Sequence, residues 1–315
     1  MSAMRVLVTG ASGFIGQALV ARLVSEGHSV IALNRSSARG NAGGSISYEE
    51  RLAPTPEDLV DALRDTHPDL VIHAAAPGTR PADRTWQKLA EGCVQYVHQL
   101  FDGLASQPPK RFVLLGSWSE YAPPAGPEGT LISESHPLES GNLYGAHKAA
   151  SYLIAQARAA QLGVEFVSAR LFNIFGPGEN CDRLVPYCVR QLRAGRPVDL
   201  TSGEQKRDFV FIDDAVDAIL RLALRDPAPD APVYNVCSGV GVSVKTLILT
   251  AAEAAGGDLD LLKFGALPQR GDEPMEIAGN PRRLANLTGW APQTPISTGI
   301  KRLVSHTLST GLQHD

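Results

Sequence analysis

Thr9-Gly10-Ala11-Ser12-Gly13-Phe14-Ile15-Gly16 puts three glycines into the turn between the first apolar run and the first segment of helical period. That turn narrows the fold more than any other feature of the chain. It suits a strand that feeds directly into a helix whose unpaired N-terminal N–H groups face an anion, as in the first βα unit of a dinucleotide-binding sheet. Gly10 permits the tight turn, Gly13 lets the backbone approach a pyrophosphate, and Gly16 lets helix and strand pack closely; Ser12, Phe14 and Ile15 complete the cradle. The spacing is one residue longer than G-x-G-x-x-G, so the weight of the motif comes from its position on the first βα turn.

The rest of the N-terminal half keeps the same rhythm. Short β-branched runs (5–9, 29–33, 70–74, 111–116, 165–170) alternate with longer segments of helical period (14–26, 56–65, 83–106, 142–161). Strand, helix, strand in this order predicts right-handed βαβ units and a doubly wound parallel α/β sheet covered on both faces. After Phe172 a loop rich in Gly, Pro and Asn breaks the rhythm. The expected division is a Rossmann domain over 1–173, also using about 209–238, and a smaller mixed α/β lobe over 174–315 that grips the substrate.

The second strand ends Leu33-Asn34-Arg35. An acid at this corner bonds the adenosine ribose and repels a 2′-phosphate; Asn34 removes that repulsion and Arg35 offers a planar cation. The corner therefore favours NADP(H), with NAD(H) as the alternative.

Composition removes several classes of partner. Lys and Arg number 29 against 33 Asp and Glu, a net charge of −4, so no basic field awaits a nucleic-acid backbone. No apolar run reaches the ~20 residues that span a bilayer, and no leader pattern is seen, so the expectation is a cytoplasmic protein. Its four cysteines lack C-x-x-C spacing, and no metal site is expected.

Tyr144-Gly145-Ala146-His147-Lys148 sets a phenol and an ammonium on one helical face. A cation beside a phenol favours phenolate and lowers its pKa toward working pH, which suits a group that trades protons with a carbonyl or alcohol. Ser117 closes the 111–116 run at the carboxyl edge of the sheet, where ligands of such sheets sit. His147 reads as a surface residue.

These residues together resemble an extended short-chain dehydrogenase/reductase of the nucleotide-sugar epimerase/dehydratase family. The likeness runs from Thr9 to Gly16 through Val71-Ile72-His73-Ala74-Ala75-Ala76, Gly116-Ser117-Trp118-Ser119-Glu120-Tyr121 and Tyr144 to Lys148. It continues through Arg170-Leu171-Phe172-Asn173, Arg207-Asp208-Phe209, Tyr234 to Gly239 and Arg270-Gly271-Asp272. The resemblance implies that Tyr144 is the acid/base, that Lys148 holds the nicotinamide ribose and tunes Tyr144, and that Ser117 orients the sugar oxygen. It also implies that Ala74, Ala75 and Ala76 line the cofactor, that Trp118, Ser119 and Asn173 meet the substrate, and that Arg207 and Arg270 meet its diphosphate. A homodimer through the helices of 83–106 and 142–161 is implied as well.

Departures from the pattern bear on the reaction. Related dehydratases carry an acid two places after the catalytic Ser or Thr, where this chain has Ser119; Glu120 comes one position later and, if the segment stays extended, faces the other way. Epimerase-reductases of the family place a cysteine at Ser119. What remains is reduction of a keto-sugar or the transient oxidation of a 4-epimerase. Gly116 to Tyr121 followed by Tyr234 to Gly239 most resembles the 4-keto-6-deoxyhexose reductases, which implies reduction of the C4 ketone of a nucleotide-linked 4-keto-6-deoxyhexose. A 4-epimerase holding NAD is the alternative; less favoured are a 4,6-dehydratase in which a bulge re-aims Glu120 and a non-catalytic cofactor-sensing module.

Overall fold

A computed structural model describes residues 3–35, 47–78, 83–124, 127, 129–269 and 274–311; Arg270, Gly271 and Asp272 lie outside the described residues. The chain forms two compact units, one of Met1–Ala122, Ser135–Leu171 and Val216–Tyr234, the other of Pro123–Glu134, Phe172–Ala215 and Asn235–Asp315.

The first unit begins with β1 (Arg5–Thr9), α1 (Phe14–Ser25), β2 (Ser29–Asn34), β3 (Glu49–Leu52), α2 (Pro56–Leu63) and β4 (Leu70–His73). One long helical stretch follows, α3 (Trp86–Leu89) and α4 (Tyr96–Leu104) joined by a π-helical turn over Ala90–Gln95, and then β5 (Arg111–Ser117), α5 (Leu143–Leu162) and β6 (Glu165–Leu171). Strands β3-β2-β1-β4-β5-β6 lie side by side in that order, and each neighbouring pair is parallel. The order reverses between β1 and β4, so the carboxyl ends of β1, β4 and β5 open on the crevice where ligands of such sheets bind.

Runs such as VLV in β1 and LVI in β4 are apolar on both faces because helices cover both sides of a parallel sheet. Leu7, Ile31, Val71, Phe112 and Leu114 are fully buried in one cluster with Leu100 and Phe101 of α4. Burying each such side chain stabilises the fold by about 1.5 to 3 kcal/mol. β3 was not expected from sequence: three of its four residues are charged, and it survives as a half-exposed strand at the end of the sheet. Its ion pairs, Glu49 with both Arg5 and Arg51, keep those charges at the surface.

In the second unit β7 (Asn173–Phe175), α6 (Leu184–Arg193), β8 (Val198–Leu200), β9 (Lys206–Phe211) and α7 (Ile212–Ala223) precede β10 (Val233–Val236). α7 runs on into the first unit, and β10 extends its sheet beyond β6. The remainder comprises β11 (Gly241–Ser243), α8 (Val244–Ala255), β12 (Leu262–Phe264), β13 (Glu276–Ile277), α9 (Arg282–Thr288) and α10 (Ile296–Gly311). β9 is central: β7 and β13 pair with it in parallel and β11 antiparallel. Among the described residues no helix is long and apolar enough to cross a membrane.

Candidate active site

The glycine turn is built by close approach. Gly10 has φ +64°, a conformation natural to glycine, and a Cβ there would stand 2.7 Å from the backbone of Ala75. A Cβ on Gly16 would overlap the Gly10 carbonyl oxygen. The turn is tied down by the Gly10 N–H on the Leu33 carbonyl (3.0 Å), while the Ala74 N–H reaches the Thr9 carbonyl (3.2 Å) and the Ala75 N–H the Thr9 hydroxyl (3.3 Å). Thr9 Oγ1 also bonds His73 Nδ1 at 2.7 Å. Burial, with the charge of Lys148 adding to it, lowers the His73 pKa to about 3, so this imidazole is a neutral structural partner.

The first turn of α1 carries no acid, and its N-cap, Gly13, makes no side-chain capping bond. Its N–H groups and dipole are therefore available to an anion, and the residues present fit a dinucleotide pyrophosphate beside Ser12, Gly13, Phe14 and Ile15.

At the adenosine corner the structure adds a residue to the sequence reading. Asn34 is 4% exposed; its Oδ1 accepts from the Ser12 N–H (2.8 Å) and its Nδ2 donates to the Glu50 carboxylate (3.2 Å). Its amide thus fixes the glycine turn, and the corner carries an acid after all, delivered by β3. Exposed Arg35 follows directly. Glu50 could not be identified from the chain because β3 itself was not.

Ser117 ends β5, and the next three residues, Trp118–Glu120, form a 3₁₀ turn instead of continuing extended. The Ser117 hydroxyl accepts from the Ser119 N–H (3.2 Å) and bonds the Ser119 hydroxyl (2.9 Å); Ser119 is buried and Trp118 half-buried. Glu120 is fully buried, with Oε1 accepting from the Ser117 N–H (2.7 Å) and Oε2 from Arg170 Nε (2.6 Å). The turn, rather than an extended strand, decides where this carboxylate points.

α5 brings up the other half of the site. Asn142 caps it, accepting from the Gly145 N–H at 2.9 Å. A Cβ on Gly145 would overlap the Ser119 carbonyl oxygen, so glycine lets the first turn of α5 lie directly on the Ser117 turn. This sets Tyr144 beside Ser117, whose side chain shares a hydrogen bond with the phenol. Arg84 was missed from sequence; its guanidinium stands 5.5 Å from the centre of the Tyr144 ring and donates to the Gly78 carbonyl (2.9 Å).

A correction concerns the phenol. Lys148 is 3% exposed and its Nζ donates to the Leu115 carbonyl at 2.6 Å, so the ammonium is held on β5. Tyr144 lies above the ordinary tyrosine range, chiefly through burial, with Cys93 and Glu120 adding to the rise and Arg84 and the Ser117 bond opposing it. Desolvation outweighs the Arg84 charge and the Ser117 bond, and the phenol keeps its proton.

Of the substrate candidates in the second unit, half-buried Asn173 donates from Nδ2 to the Asp208 carbonyl (3.0 Å), and Arg207 is 8% exposed with Nη1 donating to the Lys206 carbonyl (2.7 Å). Among the described residues no group of three His, Cys, Asp or Glu could hold a metal ion.

The chain is similar to known proteins over nearly its whole length. A UDP-glucose 4-epimerase of Mycolicibacterium smegmatis is 31% identical over 96% of this chain and 97% of its own. A GDP-6-deoxy-D-mannose reductase of Pseudomonas aeruginosa is 27% identical, with 96% of each chain covered. The solved structure of MoeE5 in complex with UDP-glucuronic acid and NAD matches at a TM-score of 0.83 and 28% identity, covering 97% of this chain and 99% of that one. With a family model matched over residues 6–237 as well, the glycine turn and the Ser117, Tyr144 and Lys148 constellation sit in a chain that belongs to the NAD dependent epimerase/dehydratase family.

Proposed function

We propose that this enzyme reduces the C4 ketone of a nucleotide-linked 4-keto-6-deoxyhexose, using NADPH, with Tyr144 as proton donor. The observation that carries this reading is the state of the acids and bases around Ser117. Glu120 is fully buried with both oxygens engaged, so no carboxylate of the turn is left to abstract a carbon-bound proton, while Tyr144 retains the proton that a reduced ketone needs. Similarity to a GDP-6-deoxy-D-mannose reductase supports the same substrate class.

When bound, the nicotinamide supplies the hydride to C4. Ser117, aimed by its bonds to Ser119, holds the ketone oxygen; as the carbonyl π pair moves onto that oxygen, Tyr144 transfers its phenolic proton and completes the alcohol. Lys148 spends one N–H on Leu115 and keeps two donors for the nicotinamide ribose. Arg207 and Arg270 are assigned to the nucleotide diphosphate and Asn173 to the sugar, as the resemblance implies.

A nucleotide-sugar 4-epimerase is the second reading. Glu50 favours it, because a carboxylate beside Asn34 suits an unphosphorylated adenosine ribose, and the M. smegmatis relative carries that name. We assign the preference for NADPH to Arg35.

A homodimer completes the proposal. α5 exposes Leu143 and Leu153 (51% and 55%), and α3 exposes Trp86 (67%), apolar area that a second copy would cover. Mixing the protein with NADPH and nucleotide-linked 4-keto-6-deoxyhexoses made in situ tests the reaction: stoichiometric loss of near-ultraviolet absorbance is expected. No loss with any of them, together with NAD released on denaturation, would make the enzyme an epimerase.

A further inference from the structure

The proposed chemistry gives Glu120 no part in proton transfer, yet it sits in a buried ion pair with Arg170. Gly116 makes room for it: a Cβ there would stand 2.7 Å from Glu120 Oε1, 2.9 Å from Ser168 Oγ and 3.0 Å from Arg170 Cγ. β5 and β6 are in register at this point, Gly116 opposite Arg170, so the carboxylate lies on bare backbone and meets the guanidinium of the next strand. Arg170 is 1% exposed and stacks between Tyr121 (4.6 Å) and Tyr152 (4.7 Å). Its Nη2 has no hydrogen-bond partner, while its Nε donates to Glu120, the carboxylate paired with its charge.

Stability alone does not account for such a pair. Desolvating two ions costs several kcal/mol each, and well-packed apolar residues in their place are commonly neutral or stabilising. What apolar residues do not supply is an acceptor for the Ser117 N–H. Ser117 is the hinge between β5 and the 3₁₀ turn, with φ −143° and ψ 145°, and its Cα carries the hydroxyl assigned to the substrate oxygen. A carboxylate on its N–H at 2.7 Å fixes the direction from which that hydroxyl projects.

We infer that Glu120 is a positioning residue: charge-balanced by Arg170 and seated on Gly116, it holds the Ser117 backbone N–H and thereby aims the Ser117 hydroxyl. The inference rests on the reading of Ser117 as the residue that holds the sugar oxygen, a role shared by reduction and epimerisation. Glu120 acts through Ser117 and touches neither cofactor nor substrate.

Two double variants separate the acceptor from the charge. Glu120→Gln with Arg170→Met removes both charges but keeps a side-chain oxygen for the Ser117 N–H; Glu120→Leu with Arg170→Met removes the oxygen as well. Each is assayed for whichever activity the wild type shows, NADPH-dependent ketone reduction or 4-epimerisation of a UDP-hexose. The Gln variant is expected to stay within about threefold of wild-type kcat, and the Leu variant to lose about 10- to 100-fold in kcat, the scale of a misplaced contact at a reacting atom. KM and cofactor affinity should change little in either. Equal kcat in the two folded doubles would overturn the inference and leave Glu120 a purely structural residue.

A measurement on the wild type covers the case in which a double fails to fold. Amide hydrogen exchange at Ser117, followed by NMR with selective labelling, should be protected as strongly as the middle of β5. Exchange at the rate of an exposed loop would overturn the inference. A wild type with neither activity would defeat the functional reading, while the Ser117 exchange rate would still decide the role of Glu120.

Discussion

Two corners of the first unit do comparable work by different means. The glycine turn after β1 is made mainly of backbone, with positive φ at Gly10, the Gly10 and Ala74 N–H groups on strand carbonyls and a helix end with no acid in its first turn. Its side-chain ties, the Asn34 amide and the Thr9 hydroxyl, are uncharged. The turn after β5 is made of side chains, with Glu120, Arg170 and Lys148 all buried around Ser117. A backbone site tolerates variation wherever a Cβ finds room. A site held by buried charges depends on every partner, because removing one strands another in a low-dielectric interior.

The largest effect should fall on the phenol. Tyr144→Phe is expected to reduce kcat by about 100- to 10,000-fold with the fold and cofactor affinity intact, as steady-state kinetics and a fluorescence titration would register. Turnover like wild type in a well-folded protein would remove Tyr144 from the chemistry and dissolve the contrast between the corners.

Next are the glycines. Gly145→Ala should cost about 1 to 3 kcal/mol in thermal unfolding, the usual range for overpacking, and should lower kcat because α5 must lift away from Ser119. Gly10→Ala should raise the dissociation constant for NADPH by about tenfold or more, since its Cβ collides with the Ala75 backbone, and titration of cofactor fluorescence reads this directly. If Gly10→Ala bound cofactor normally, close backbone approach would not be the basis of the first corner.

The pH dependence sharpens the second corner. A phenol held above its ordinary range is the correct form for donating a proton, so ketone reduction should show no loss from Tyr144 titration between about pH 6 and 9. Oxidation of the alcohol product requires phenolate and should accelerate with rising pH over the same interval. Parallel profiles in the two directions would assign the proton to another group.

The smallest effect concerns cofactor choice. Glu50→Gln removes the carboxylate beside Asn34 and should raise the preference for NADPH over NADH by about three- to tenfold in kcat/KM, whereas Arg35→Ala should lower it by a similar factor.

The same two corners show what a sequence discloses. The glycine turn was legible because its causes are local: spacing, strand before, helix after. The sheet was legible because β1, β4 and β5 are apolar on both faces. Glu50 was not, since EERL has no strand-like alternation and becomes a strand only by pairing with β2. The direction of Glu120 was hidden too, because its turn depends on Arg170 in another strand and on the bare backbone of Gly116. The setting of Lys148 was hidden for a related reason: helical spacing relates it to Tyr144, but the Leu115 carbonyl that receives a hydrogen bond from its ammonium comes from β5.

The contact of Gly145 with the Ser119 carbonyl has a kinetic meaning beyond its geometry. With no side chain between them, the start of α5 and the Ser117 turn cannot open separately, and hydrogen exchange should find them in one cooperative unit with β5. Tyr144, Ser117 and Lys148 would then be lost and regained together on unfolding. Under heat or denaturant, a population of molecules would lose activity by declining in number rather than by each becoming a poorer catalyst.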